Sequence, residues 1–336
     1  MSGRARLPYF IRLHRCGLAV SLFAGLLLLT PLLLTNPYHL GLTNQVALLA
    51  LVVLGLNLFV GFAGQISLGH AAFFGLGAYG SAIATVRYGL PAWPALLLVA
   101  ALVALVALLL GLVVLRLEGH YLAMATLGFN LVLHSVLLEW DSLTGGPSGF
   151  YGIAPLQLGS FVFDSEARLH YLLWSFCLLA LLLSLNLVRS GVGRGLAALA
   201  GDPVAAAALG VAVGPAKIRV FVLSAVYAAV GGSLFAHSYG FISPDSFDIF
   251  ASTDLVIMVV IGGMGSLWGS LLGAAFISLL PEWIDLFETW KDFVHGGLLV
   301  LILLFLPQGL VRGLSETLRR RTALKQRQQV SGHAAS

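Results

Sequence analysis

The chain has 336 residues, of which 59% are hydrophobic and 10% charged, with a mean hydropathy of +0.97. A soluble domain carries about 25% charged residues, so this composition excludes one and points to an integral membrane protein. The net charge of +4 is not a nucleic-acid signal, because the basic residues gather in two tails and one loop.

Arg4, Arg6, Arg12 and Arg15 precede the first apolar run. That run, about residues 16–34, is long for the core of a secretory signal, and no small-x-small cleavage site follows it. It is expected to stay as a first helix. Further apolar segments fall at about 43–61, 65–86, 92–115, 120–140, 170–188, 217–239, 253–280 and 295–311, each near the length that crosses a bilayer. Cys16 and Cys177 both lie inside apolar spans, so neither a structural disulfide nor a cysteine zinc site is expected.

Between the second and third segments, Gly61 to Gly80 reads GFAGQISLGHAAFFGLGAYG. Its glycines permit close backbone approach, while Gln65, Ser67 and His70 interrupt apolar surroundings. A polar group at membrane depth needs a protein interior or a water-filled path around it. Two readings stay open: a pathway lined by Gln65, Ser67 and His70, joined by Asn130 from the fifth segment, or an ordinary interfacial junction. His120 and His134 lie on one predicted helix, but no other span supplies the matching pair that haem ligation needs. No cluster of carboxylates and histidines has metal spacing, and no metal or cofactor is expected in this chain. The loop from Asp141 to Leu169 holds three acids against Arg168 and is assigned to the outer face.

The loop from Arg189 to Lys217 carries complete helix punctuation. Asp202 is a good N-cap, Pro203 suits the first helical position, and Ala205 to Ala208 favour helix. Gly210 can take the left-handed conformation that ends a helix. Arg189, Arg194, Lys217 and Arg219 flank it, which assigns the loop to the cytoplasm. A short basic-flanked helix of small side chains is expected to dock a soluble partner.

Counting 253–280 as one helix puts the two basic tails on opposite sides of the membrane. The stretch Ile261–Ser266, IGGMGS, offers a break, since Gly262, Gly263 and Gly265 make a poor helix interior. Two short helices meeting there bring the count to about ten and both termini to the cytoplasm. Gly265, Gly269 and Gly273 form a small-residue stripe for helix packing, and the turn before it is a candidate hinge. The acid-rich stretch Pro281 to Asp292 is placed outside, and the basic residues after 311 inside. The fold class is therefore all-α and polytopic, with a cytoplasmic helix and one broken pair. The lysines Lys217, Lys291 and Lys325 lack the context of a phosphate-binding loop, so any ATPase must be another polypeptide.

Five blocks in order, GQISLGHAAFFGLGAYGSA (64–82), LEGHYLAMATLGFNLV (117–132), LTGGPSGFYGI (143–153), GRGLAALAGDPVAAAALGV (193–211) and IGGMGSLWGSLLGA (261–274), resemble the permease subunits of branched-chain amino-acid ABC importers. The likeness covers about residues 40 to 310. It implies a cytoplasmic tail over 1–15, a transmembrane permease domain over 16–311 with its coupling loop at 189–217, and a basic tail over 312–336. It also implies two cytoplasmic ATPases, a homologous permease and a periplasmic binding protein as partners, in the inner membrane. Within the family's coupling-helix pattern, Gly193, Arg194, Leu196, Ala198, Ala205, Ala206, Gly210 and Val211 fit. Where the family often has several charges, Ala200, Gly201 and Pro203 leave Asp202 as the only acid. Arg194, Leu199, Asp202, Ala206, Leu209 and Gly210 are thus the candidates for coupling to an ATPase. Alternating access of a neutral or zwitterionic solute is the implied mechanism, and a secondary transporter or facilitator of a small neutral solute (including urea or short amides), working without ATPases, is the alternative.

Overall fold

The computed structural model describes residues 9–34, 36–284 and 297, with side chains from residue 18 to residue 280. The ends of both tails, the acid-rich stretch from residue 285 and the expected span 295–311 (Gly297 apart) lie outside the described residues. Helices dominate: α1 (Tyr9–Leu33), α2 (Pro37–Asn57), α3 (His70–Val86), α4 (Ala92–Val114), α5 (His120–Glu139), α6 (Asp141–Thr144), α7 (Glu166–Arg189), α8 (Gly191–Gly201), α9 (Pro203–Ala208), α10 (Val213–Tyr239), α11 (Ile249–Gly262) and α12 (Leu267–Ile284). The chain is an all-α, multi-pass membrane protein. Five helices, α2 with its extension to Phe62, α4, α5, α7 and α10, are long and apolar enough to cross a membrane, and three shorter apolar segments lie at Leu18–Leu33, Ile249–Gly262 and Leu267–Leu280.

Helix α2 is the axis of the bundle. It is apolar on every side, the pattern of a helix enclosed by others, and Val52, Val53, Leu54, Leu56 and Leu58 are all 0% exposed. It packs against α7, α10, α11 and α12. By contrast α4 and α5 show broad apolar faces, with Leu97, Val113 and Met124 among the most exposed side chains, as lipid-facing helices do.

Helices α3 and α10 run side by side in the same direction, in contact along most of their length. Gly77 faces the backbone of Ala229, and Gly232 faces that of Phe74; a Cβ at either position would stand 2.0–2.2 Å from a carbonyl oxygen. This is small-residue packing, which lets backbones approach where lipid supplies no hydrophobic force. Polar groups lock the seam: Ser233 donates to Ser81 (2.8 Å), and His237 meets Ser81 (3.0 Å) and the carbonyl of Ala154 (2.7 Å).

The expected break at IGGMGS is present. Helix α11 ends at Gly262, Gly263 and Gly265 take φ of +109° and +74°, and α12 starts at Leu267. The two helices form a tight hairpin in which Gly262 lies against the carbonyl of Gly269 and Gly273 against that of Met258. The stripe therefore packs α12 on its own hairpin partner. Gly265 belongs elsewhere: its amide donates to Asn57 Oδ1 (2.9 Å), and it sits against Gly61. Asn57 Nδ2 reaches the carbonyl of Ser266 (2.9 Å) and Ser270 Oγ (2.7 Å), so one side chain at the end of α2 clamps the turn.

Three boundaries differ from the sequence expectation. Helix α1 starts at Tyr9, ahead of the run at residue 16. Residues 65–69 are not helical, so the third helix begins only at His70. Helix α12 continues through Pro281 to Ile284, into the stretch expected as loop. The loop after α5 is compact, with β1 (Phe150–Tyr151) pairing antiparallel with a strand that follows α10, and β2 (Gln157–Leu158) pairing with β3 (Phe161–Val162). That partner strand, β4 (Phe241–Ile242), ties the α5–α7 loop to the end of α10.

The close approach of α3 and α10 makes a direct prediction. Gly77→Ala costs about 1–3 kcal/mol through overpacking and lowers the thermal midpoint in detergent. Gly128→Ala, at a position with nothing within 4 Å, leaves the midpoint at or above that of the parent.

Candidate functional site

Helix α2 ends in a π-helical turn, Leu58–Phe62, and the chain then runs irregularly to His70. Irregular backbone inside a membrane bundle is stable only where protein supplies its hydrogen bonds. Several backbone groups of this re-entrant loop have such a partner. Gln65 N–H donates to the carbonyl of Phe59 (3.2 Å) and Leu68 N–H to Thr126 Oγ1 of α5 (3.0 Å). Ser252 Oγ of α11 donates to the carbonyl of Leu68 (2.6 Å). Gly64 adopts φ of +66°, and Gly69 lies against the carbonyl of Thr126, where a Cβ would be 2.6 Å away.

The candidate path residues divide on this frame. Ser67 Oγ lies 3.1 Å from His70 Nδ1, and Ser224 Oγ of α10 closes on Nε2. The rings of Phe59, Phe73 and Phe221 enclose the imidazole, and His70 is 0% exposed. Asn130 is equally buried and donates to the carbonyl of Asp248 (3.0 Å), while its Oδ1 has no partner among the described residues. Gln65 folds back on the carbonyl of Ala63 (3.1 Å) and lines a cavity of about 240 Å³. So Gln65, Ser67 and His70 share one loop, and Asn130 stands apart, linked through Thr126 of its own helix.

That cavity lies between the re-entrant loop and the segment that carries the coupling candidates, and it is also lined by Glu118, Leu199, Ala200, Pro203 and Lys217. Lys217 is not an open flanking charge: it is 4% exposed, with Nζ 3.5 Å from Glu118 Oε1. Sequence reasoning missed this pair, whose signal is a lysine a few residues inside an apolar helix and a lone acid 99 residues earlier.

The segment itself is two helices, where the sequence suggested one. Ser190 caps α8 by accepting from the amides of Val192 (3.1 Å) and Gly193 (3.4 Å). Asp202 Oδ1 caps α9 by accepting from Val204 (2.8 Å) and Ala205 (3.2 Å). At the far end the amides of Gly210 and Val211 return to the carbonyls of Ala207 and Ala206, with Gly210 at φ +84°, a Schellman ending.

The two helices have an inner and an outer face. Leu196, Leu199 and Ala206 are each 1% exposed, turned into the bundle, whereas Val204 and Leu209 are 79% and 81% exposed. Leu199 and Ala206, expected as partner contacts, are therefore seating residues in this conformation. Leu209 stays outward, as do Arg194 and Asp202. Arg194 Nη1 donates to the carbonyl of Arg189 (3.3 Å). Beneath them, a Cβ on Gly64 would stand 3.0 Å from the Cα of Ala200, so α8 rests directly on the re-entrant loop. Among the described residues no group of three or more His, Cys, Asp or Glu is placed to hold a metal ion.

Residues 38–303 match the family model described as the permease component of branched-chain amino acid transport systems. The chain belongs to that family. It is 36% identical over 281 residues to the high-affinity branched-chain amino acid transport system permease protein LivM of Escherichia coli, an alignment covering 77% of this chain and 66% of LivM. It is 28% identical over 285 residues to BraD of Pseudomonas aeruginosa, covering 78% and 91% of the two chains. The match to LivH of Escherichia coli is 30% over 150 residues, covering 44% and 48%. Both are also high-affinity branched-chain amino acid transport system permease proteins. No solved structure matches the chain.

The cap geometry carries a prediction. Asp202→Ala removes the acceptor for two amides and costs about 1 kcal/mol. Hydrogen exchange across residues 203–209 should speed roughly fivefold, while exchange in α10 is unchanged.

Proposed function

We propose that this chain is the transmembrane permease subunit of an ABC importer that moves branched-chain or similar neutral amino acids across the cell's inner membrane. The single observation that carries the proposal is the helix pair α8–α9, which presents Val204 and Leu209 outward and rests Ala200 on Gly64. An exposed apolar pair on a capped helix suits a soluble partner, and its inner face has a direct line to the bundle. Two cytoplasmic ATPases are the proposed engine, with a homologous permease completing the membrane part and a periplasmic binding protein delivering the solute. That one chain matches both LivM and LivH, two permease proteins of one organism, supports the paired permeases.

The proposed topology has ten crossings: α1 to α5, α7, α10, α11, α12 and the apolar stretch 295–311. Arg189, Arg194 and Arg219 at the α7–α10 junction, with the basic tails, support a cytoplasmic location for that end and for both termini. In the mechanism, ATP-driven closure of the engine displaces α8–α9. The re-entrant loop follows, and the helices hydrogen-bonded to it (α5, α10 and α11) change the access of a central path. The engine's two states must hold the helix pair differently, since a contact indifferent to state shifts nothing. Gln65, Ser67, His70 and Asn130 are the proposed lining of that path once its enclosing helices part. Gly263 and Gly265 are the proposed hinge. The broken α11–α12 pair also suits a facilitator that works without ATPases, and the same experiment separates the two.

Val204→Asp with Leu209→Asp places charges on the outward face while leaving the buried Leu199 and Ala206 untouched. A double variant of this kind should lose more than 1 kcal/mol of docking energy. The expected result is loss of ATPase co-purification in mild detergent and loss of uptake, with an unchanged thermal midpoint of the chain itself. Full uptake by the double variant, or ATP-independent flux by the chain alone in liposomes, contradicts the proposal.

A further inference from the structure

A second cavity, of about 360 Å³, opens at the end of the bundle away from α8 and α9, where the first turns of α2 and α7 meet the last turn of α10. Its lining includes polar side chains from all three helices. Asn44 of α2 is 4% exposed and uses both hydrogens of its amide on Glu166, at the backbone carbonyl (3.0 Å) and at Oε2 (2.7 Å). Its Oδ1 is buried and has no hydrogen-bond partner among the described residues. Ser238 Oγ of α10 is in the same condition. Both residues, with the Glu166 carboxylate, line the one cavity, and none of the described residues lining it is Lys, Arg or His.

The helix dipole accounts for an acid at the first turn of α7. It does not account for an orphaned amide oxygen held beside that acid, because buried acceptors cost free energy unless they are paired. Asn44 is held in place: its amide hydrogens are committed, and its surroundings are pinned by His170, which meets Thr43 Oγ1 (3.1 Å) and the carbonyl of Leu27 (3.2 Å). Further along the same helix faces the lining is apolar, with Leu48 on α2 and Leu169 and Leu173 on α7. An excess of oxygen acceptors, one negative charge and an adjoining apolar wall are complementary to a small cation that donates several hydrogen bonds and carries an aliphatic tail. A primary ammonium has three N–H donors and one positive charge, and charge-assisted bonds of this type are the strong ones.

We propose that the cavity between α2, α7 and α10 binds a primary ammonium group, with Glu166, Asn44 Oδ1 and Ser238 Oγ as its acceptors and Leu48, Leu169 and Leu173 against its aliphatic substituent. The same headgroup chemistry is offered by a free amino acid and by phosphatidylethanolamine. The proposal leans on the importer reading only in choosing L-leucine as one probe.

The test uses the full chain in nanodiscs of phosphatidylcholine, which has no primary amine, titrated calorimetrically with 3-methylbutylamine, L-leucine and 4-methylpentanoate. Saturable binding of 3-methylbutylamine and none of 4-methylpentanoate is expected. Glu166→Gln should weaken amine binding at least tenfold, and Ser238→Ala, a smaller change to the fold, severalfold. Loss of amine binding when phosphatidylethanolamine is added to the discs identifies the lipid headgroup as occupant. L-leucine binding that is insensitive to that lipid identifies the free amino acid. Either result supports the site. Amine binding without L-leucine binding keeps the site and removes the amino-acid reading. Absence of amine binding, or binding unchanged in both variants, overturns the site even where the assembled importer still takes up L-leucine.

Discussion

The structure turns on one constraint: seven residues of irregular backbone, from Ala63 to Gly69, are lodged among helices, and the buried ones, Ala63, Gln65, Ser67 and Gly69, must find their hydrogen bonds in protein. Thr126 of α5 and Ser252 of α11 bond that backbone, while Ser224 of α10 holds His70 at its end. Three helices from two distant parts of the sequence are therefore positioned by one loop. The glycines at 64 and 69 let neighbouring backbones come close enough for this, and a side chain at either would collide with α8 or α5. Asn57, just ahead of the loop, extends the same logic to the α11–α12 turn. The irregular stretch is the point where α2, α3, α5, α8, α10 and the hairpin are mechanically joined.

In the proposed mechanism the helix pair α8–α9 acts on that junction. Leu196, Leu199 and Ala206 anchor it inward, its caps satisfy its own backbone, and Val204 and Leu209 are left for something outside the chain. Between it and the loop lies a cavity walled on one side by the Lys217–Glu118 pair, with Gln65 on the loop side and Leu199 and Ala200 on the α8 side. At the other end of the bundle the polar cavity of Asn44, Glu166 and Ser238 is backed by the His170 contacts that fix α1, α2 and α7 together. Helices α2 and α10, which pack together, run between the two ends.

Local chemistry was legible in the sequence where it depends on neighbours along the chain. The break at IGGMGS, the Asp202 cap, the Pro203 start and the left-handed Gly210 all follow from residues within a turn of each other. Helix α8 was not, because Gly191, Gly193 and Gly195 lower helix propensity; Gly193 is needed where the chain folds back on the carbonyl of Val188. The loop at 63–69 was hidden for a related reason: its apolar run continues from α2 into α3, and hydropathy does not register a helix that stops for tertiary partners. The inward facing of Leu199 and Ala206, the burial of Lys217 and the Asn44–Glu166 and Asn57–Ser270 pairs depend on contacts across 99 to 213 residues of chain. No local pattern carries those.

The central claim is that α8 and the re-entrant loop move as one body. Its most direct measurement is uptake by the assembled transporter after Ile66→Cys and Ala200→Cys, whose parent residues line the same cavity, are bridged by a short bifunctional reagent with the native cysteines replaced. Uptake at the rate of the unbridged variant is the predicted result. Uptake abolished by the bridge and restored when the bridge is cleaved would mean that the two segments must separate during transport, which contradicts the account.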